Sequence, residues 1–193
     1  ISGASIGTDT GLSIIRFTGT GANLNLPHGL GKRPAWILIK RISSAGNSWA
    51  VYHQYVGAQK QLLLNSSNGV SNDTNGFSGV PNDTIVRLGS GAQMATNQSG
   101  TNIMWAWAEV DGFSRFGFYY GNGDADGPFC YCGFRPALVI CKRADSSADH
   151  WCTWDTARRP FNKNQSQLNL NLSDQEINNS NAIEITATGF KHR

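Results

Sequence analysis

Charge is scarce in this chain. Charged side chains make up 15% of its 193 residues, against about a quarter in an ordinary globular domain. Glutamate occurs only as Glu109, Glu176 and Glu184, so no pair of carboxylates announces itself as the kind that flanks a scissile sugar bond. Gly-x-Ser-x-Gly occurs once, as Gly3-Ala4-Ser5-Ile6-Gly7, but in a small, polar stretch with no helical pattern after it, which does not build the strained strand-to-helix elbow that exposes a hydrolase nucleophile. The net charge of +3 is too small to serve as the footprint of a nucleic-acid binder. No apolar run is long enough to cross a membrane as a helix. The chain opens on Ile1 rather than Met, which reads as an excerpt or a processed product. The first half holds no cysteine; all four, Cys130, Cys132, Cys141 and Cys152, lie in the second half.

Glycine and asparagine are plentiful, at 22 and 18 residues. Both tolerate positive φ and so build turns. Helical periodicity is nearly missing. Ser173-Asp174-Gln175-Glu176 has the spacing of a capping box, but no apolar period follows, and one short turn is the most it predicts. Short strands joined by many turns predict an all-β protein of the sandwich or jelly-roll type.

The chain also repeats itself. Gly11-Leu12-Ser13 returns as Gly112-Phe113-Ser114, and Gly31-Lys32-Arg33-Pro34-Ala35 as Gly133-Phe134-Arg135-Pro136-Ala137. Gly19-Thr20-Gly21 returns as Gly121-Asn122-Gly123, Lys40-Arg41 as Lys142-Arg143, and Trp49 as Trp151. A fixed period means that one structural unit was duplicated. The reading is a linker over 1–10, a first β-sandwich repeat over 11–111 and a second over 112–193. Strands are expected at 12–18, 35–39, 49–52, 60–64, 84–88 and 103–108. The last alternates large Ile103, Trp105 and Trp107 with small or flexible neighbours, the period-two pattern of a strand between unequal layers. Residues 65–82 and 89–100 read as surface loops. In the second repeat, strands are expected at 114–120, 137–141 and 151–154, with 182–186 echoing 84–88. No counterpart of Ile103–Glu109 follows, which leaves an exposed edge. The reading favours a closing strand beyond Arg193 over one lent by a neighbouring subunit.

The duplication also weighs each chemical candidate. The four cysteines align with His28, Leu30, Ile39 and Ala50, so the same strands form without thiols, and free, mostly buried thiols are expected rather than a zinc site. Asn122-Gly123-Asp124-Ala125-Asp126-Gly127 has the alternating oxygens of a calcium loop but supplies too few of them, and turn chemistry explains it. Among His28, His53, His150 and His192, His53 aligns with Asp155, so no base is kept between units. Trp36, Trp49, Trp105, Trp107 and Trp151 read as packing residues. Trp154, beside polar Asp155 and Thr156, is the expected exposed exception. Lys40-Arg41, Lys142-Arg143 and Arg158-Arg159 suit solvated strand ends better than an anion-binding rim. The sequons at Asn65 and Asn82 carry no implication of glycosylation. No catalytic residue, metal or cofactor is assigned, and ligand-binding residues are left open.

The motifs together resemble a known pattern. Pro27-His28-Gly29-Leu30-Gly31, the strand from Pro34 ending in Lys40-Arg41, and Ser48-Trp49-Ala50-Val51-Tyr52-His53 form one half. Ala106-Trp107-Ala108-Glu109-Val110-Asp111-Gly112-Phe113-Ser114, Asp126-Gly127-Pro128-Phe129 and Gly133-Phe134-Arg135-Pro136 form the other. This is similar to a repeat family of virion structural proteins, of tail-fibre type, from marine and cyanobacterial tailed phages, over nearly the whole chain. The resemblance implies a non-enzymatic component of the particle surface, a tail-fibre segment or a capsid decoration. It implies a homo-oligomer, with a trimer as the guess, and other virion proteins as partners, but neither nucleic acid nor membrane. A carbohydrate-binding module that reads a host glycan through the two long loops is the first alternative. A polysaccharide depolymerase is the second.

Overall fold

The computed structural model describes residues 1–91, 96–158, 166–178 and 182–193. Among them are sixteen strands and no helix. The first ten strands are β1 (Gly3–Gly7), β2 (Leu12–Gly19), β3 (Leu24–Pro27), β4 (Trp36–Arg41) and β5 (Ala50–His53), followed by β6 (Lys60–Leu63), β7 (Ser71–Asn72), β8 (Phe77–Gly79), β9 (Ile85–Leu88) and β10 (Gly100–Trp107). Seven of them form one antiparallel sheet in the order β1-β2-β10-β4-β5-β6-β7, and β3-β9-β8 form a second. The residue pattern fixes which face goes inside. Ile15, Phe17, Ile37, Ile39, Tyr52, Met104 and Ala106 point from the large sheet onto Leu26, Phe77, Val86 and Leu88 of the small one, and together they make the buried core of a β-sandwich.

The opposite face of the large sheet is apolar too. Leu38, Val51 and Leu62 are buried there under Trp36, Trp49, Trp105 and Trp107. Trp36 and Trp107, directly opposed across β4 and β10, have ring centroids 4.7 Å apart. Trp49 stacks on Trp105 at 5.9 Å. A sheet with two apolar faces needs a second cover. The second unit provides it.

That unit holds β11 (Phe129–Tyr131), β12 (Leu138–Cys141), β13 (Cys152–Asp155), β14 (Leu168–Asn169), β15 (Ile183–Ile185) and β16 (Gly189–His192). Its sheets are β12-β13-β14 and β11-β16-β15, closed over Val139, Trp154, Ile183 and Ile185. The duplication holds at the level of register. Trp36 faces His53 and Ile39 faces Ala50; Leu138 faces Asp155 and Cys141 faces Cys152. Asn65 Oδ1 accepts the Trp49 N–H at 2.8 Å, and Asn171 Oδ1 accepts the Trp151 N–H at 2.9 Å.

Trp151 joins the two units. It repeats Trp49, but its ring is buried among Leu38, Val51 and Leu62 of the first unit, and its Nε1–H donates to the Leu63 carbonyl at 2.9 Å. Around it, the Val70 N–H donates to Ala144 O at 2.7 Å and Lys142 Nζ to Ser67 O at 3.1 Å. The approach is close enough that a Cβ on Gly69 would stand 2.7 Å from the Ala144 carbonyl oxygen.

Several expectations need correction. Residues 1–10 do not form a plain linker: Gly3–Gly7 is strand β1, paired from Gly3↔Arg16 to Gly7↔Leu12, because a short polar stretch can still satisfy its backbone on a neighbouring strand edge. The stretch 65–82 is not loop throughout, since it contains β7 and β8, and Phe77 is fully buried. The strand expected at 114–120 is only an isolated bridge at Ser114, with 115–120 irregular, because its repeat, β2, is held by β10, and among the described residues no strand pairs with this stretch. The segment over 182–186 contains β15, which sits at a sheet edge as β8 does; the place of β9 is taken by β16. The backbone around Ser173–Glu176 is irregular rather than a helical turn.

Replacing Trp151 with alanine is expected to cost about 3–5 kcal/mol in urea unfolding, as for other buried aromatics. Trp151→Phe keeps most of the packing but loses the indole bond to the Leu63 carbonyl, which retains the Ser66 N–H at 3.2 Å, and should cost about 0.5–1.5 kcal/mol. Equal stability of wild type and W151A would show that the ring is not the joint between units.

Candidate functional site

Exposed aromatic rings gather where the two units meet. Tyr55 lies on the turn after β5, held there by its N–H to His53 Nδ1 at 3.3 Å and by Val56 N–H to His53 O at 2.9 Å. Phe118 and Tyr120 come from the irregular stretch that follows Ser114. Two side chains position that stretch by gripping the backbone of Phe116. Glu109 Oε1 accepts its N–H at 2.9 Å, and Gln54 Nε2–H donates to its carbonyl at 2.8 Å. Arg115 pairs with Glu109 at 3.6 Å. The outcome is a ladder of rings: His53 to Tyr55 at 5.8 Å, Tyr55 to Phe118 at 4.8 Å, and Phe118 to Tyr120 at 5.5 Å and nearly perpendicular. Tyr55, Phe118 and Tyr120 are 57%, 59% and 83% exposed. Beside Tyr55 opens a shallow cavity of about 380 Å³, lined with Val56, Lys60, Val70, Ala144 and Asp145. Flat apolar faces next to a few polar groups are the ordinary make-up of a binding surface for an amphipathic ligand.

The residues weighed in the sequence fall elsewhere. Trp154, expected to be the exposed tryptophan, is only 3% exposed and stands in the second core opposite Val139; its polar followers belong to the strand end and the turn beyond it. The cysteines are free and half-buried. Cys141 and Cys152 face each other as Ile39 and Ala50 do, whereas Cys132, not Cys130, takes the backbone place of His28. The Cys132 N–H bonds Thr188 O as the His28 N–H bonds Thr84 O. Burial pushes Cys141 up to about 12 and Cys130 to about 11, with the neighbouring thiols adding to it. Protonated thiols are poor metal ligands, and no metal-binding group of three His, Cys, Asp or Glu occurs among the described residues.

In the glycine-rich loop, Asn122 Oδ1 accepts the Asp124 N–H and Asp124 Oδ1 the Asp126 N–H, while Asp126 pairs with Lys191 at 2.5 Å. These oxygens serve turns and an ion pair. Lys40 lies over the Trp49 ring at 5.3 Å, Arg41 bonds Gln98 Oε1 at 2.9 Å, and Arg143 pairs with Asp145 at 2.8 Å. Arg158 pairs with Asp155 and Glu176 at 2.5 and 2.7 Å, and Arg159 lies outside the described residues. The basic pairs do not converge on a rim. Of the two long loops, 65–82 meets the second unit through Ser67, Gly69 and Val70, and 89–100 is described only in part.

The ladder was not visible in the sequence, because Tyr55 belongs to one unit and Phe118 and Tyr120 to the other. The available signal was the aromatic run Phe118-Tyr119-Tyr120 where the first unit has Arg16, Phe17 and Thr18.

His28 and His53 are both held neutral by burial, which lowers their pKa below the usual value of about 6.5; Asn82 and Asp83 oppose the shift at His28, and Glu109 opposes it at His53. His28 Nδ1 accepts the Leu30 N–H at 3.3 Å, so Nε2 carries the proton and donates to Asn82 O at 3.0 Å. A second proton at Nδ1 would oppose the Leu30 N–H. Each depressed histidine therefore contributes stability that is complete above its unfolded pKa and is lost as pH falls through the folded one. Urea midpoints should fall between pH 7.5 and 5.5, and His28→Gln should flatten that slope while lowering stability throughout. An unchanged slope in H28Q would remove His28 from the account.

No curated protein and no solved structure matches the chain. A family model described as a domain of unknown function, DUF7483, matches residues 1–193. As that match runs from the first residue to the last, the chain belongs to the DUF7483 family.

Proposed function

We propose that this chain is a non-enzymatic structural module of a virion surface, a tail-fibre segment or a capsid decoration. The observation that carries the structural part is the Trp151 joint. A ring buried in the neighbouring unit, with its N–H bonded to the Leu63 carbonyl, ties the two sandwiches together, and units fixed to one another are what a surface-presenting module needs. The virion part rests on the resemblance of the repeat motifs to phage virion proteins. A module of this kind works as a homo-oligomer among other particle proteins. Immunogold labelling with an antibody to the chain should mark purified phage particles, on fibres or over the capsid. Particles that carry no label in either place would overturn the virion reading.

The aromatic ladder favours a second reading on the same scaffold, contact with a glycan of the host surface. Sugar rings present a C–H face that packs on aromatic side chains, and Lys60 and Asp145 stand beside Tyr55 to bond hydroxyls. Calorimetric titration with host polysaccharide should show binding that weakens at least tenfold in Tyr55→Ala and in Phe118→Ala. Both residues are exposed, so thermal stability should hardly change. Binding that survives both substitutions would place the glycan elsewhere.

A further inference from the structure

A loop with a thiol at either end docks the second unit onto the first. Cys141 is the last residue of β12 and Cys152 the first of β13. Residues 142–151 run between them and carry the bonds of the joint. Lys142 Nζ donates to Ser67 O, the Ala144 carbonyl accepts the Val70 N–H, and the Trp151 indole donates to Leu63 O.

The two thiols are placed to meet. They are directly opposed in the β12–β13 ladder, and opposed residues of an antiparallel pair share a face. Both pack against Val139, Trp154, Ile183 and Ile185 of the second core. Opposed Cα atoms in such a ladder stand about 4.5–5.5 Å apart, inside the ~4.4–6.8 Å span of a disulfide. The Cβ atoms have to close by about 1 Å from ordinary cross-strand spacing, and the pair ends its ladder, so only the loop side must give. The first unit builds the same ladder with Ile39 opposite Ala50. The fold therefore needs no bond here, and what the thiols add concerns the loop they bracket. Cys130 and Cys132 are the rival partners, but they belong to β11 and the residue after it, in the other sheet, and packed sheets stand about 10 Å apart.

We infer that Cys141 and Cys152 form a disulfide on oxidation, and that this bond fastens the loop joining the two units. The oxidant is a peroxide, small enough to reach half-buried thiols. Cys152 starts the reaction. Its sulfur accepts the Gln167 Nε2–H at 3.2 Å, a bond that favours the thiolate. Burial and Asp149 raise its pKa and Lys142 opposes them, whereas burial pushes Cys141 up to about 12. The Cys152 thiolate attacks the peroxide O–O bond, becomes a sulfenic acid and releases hydroxide. The Cys141 sulfur then attacks Cys152 Sγ; the S–S bond forms, the S–O bond breaks, and the hydroxyl leaves with the Cys141 proton as water. Two thiols and one peroxide give one disulfide and two waters. The cross-link limits the conformations open to the loop. This inference is independent of the virion and glycan readings.

The test treats the whole chain, reduced beforehand, with an equimolar amount of hydrogen peroxide. Cleavage after Lys142 separates the two cysteines, so mass spectrometry reads the bond as a linked peptide pair lighter by two hydrogens, and fragment spectra assign the sulfurs. Wild type and the double variant Cys130→Ser, Cys132→Ser should both give the Cys141–Cys152 link at least tenfold over any other product. Cys152→Ala, which installs the side chain of Ala50, should form no link to Cys141. In the linked wild type, amide exchange over 142–151 should slow at least threefold and the urea midpoint should rise, both reversed by dithiothreitol; in Cys152→Ala peroxide should change neither. Links through Cys130 or Cys132, or oxidation of wild type to sulfinic acid without a link, would overturn the pairing. A Cys141–Cys152 link that leaves exchange over 142–151 unchanged would overturn its role at the joint.

Discussion

Strand β10 is the constraint on which the first unit depends. Its even-numbered residues bond β2 and its odd-numbered residues bond β4, so it alone connects the N-terminal pair β1-β2 to the rest of the sheet. Its side chains divide the same way. Met104 and Ala106 are small or pliable enough to fit under Ile15, Ile37 and Tyr52 in the core. Trp105 and Trp107 are large enough to build the opposite face with Trp36 and Trp49. One eight-residue segment thus sets the sheet order, the core volume and the surface onto which the second unit docks.

The repeat of β2 meets no such strand among the described residues. Its stretch after Ser114 is irregular and is held by side chains instead, Glu109 and Gln54 gripping the backbone of Phe116. That stretch is what brings Phe118 and Tyr120 to Tyr55, so the aromatic ladder belongs to neither sandwich alone.

Much of the architecture could be read from the residues. Alternation in Ile103–Ala108, the two-faced apolar run Ala35–Ile39 and the many turn-forming glycines were enough for an all-β fold. What could not be read was long-range. Gly3–Gly7 has no strand propensity worth the name, and becomes a strand because β2 offers an edge. Trp151 looked like a copy of Trp49, and nothing local says that its ring turns into the neighbouring unit. Trp154 was misjudged because the polarity of Asp155 and Thr156 describes where the strand ends, not which way its side chains face. The ladder needed two units to be placed before its rings were neighbours at all.

The tryptophan joint has a spectroscopic consequence. Five of the six indoles, Trp36, Trp49, Trp105, Trp107 and Trp151, share one cluster, and only Trp154 lies in a separate core. Intrinsic emission from this protein therefore reports mainly on the seam between the repeats. Solvent reaching that seam would shift the spectrum to the red while both sandwich cores were still folded.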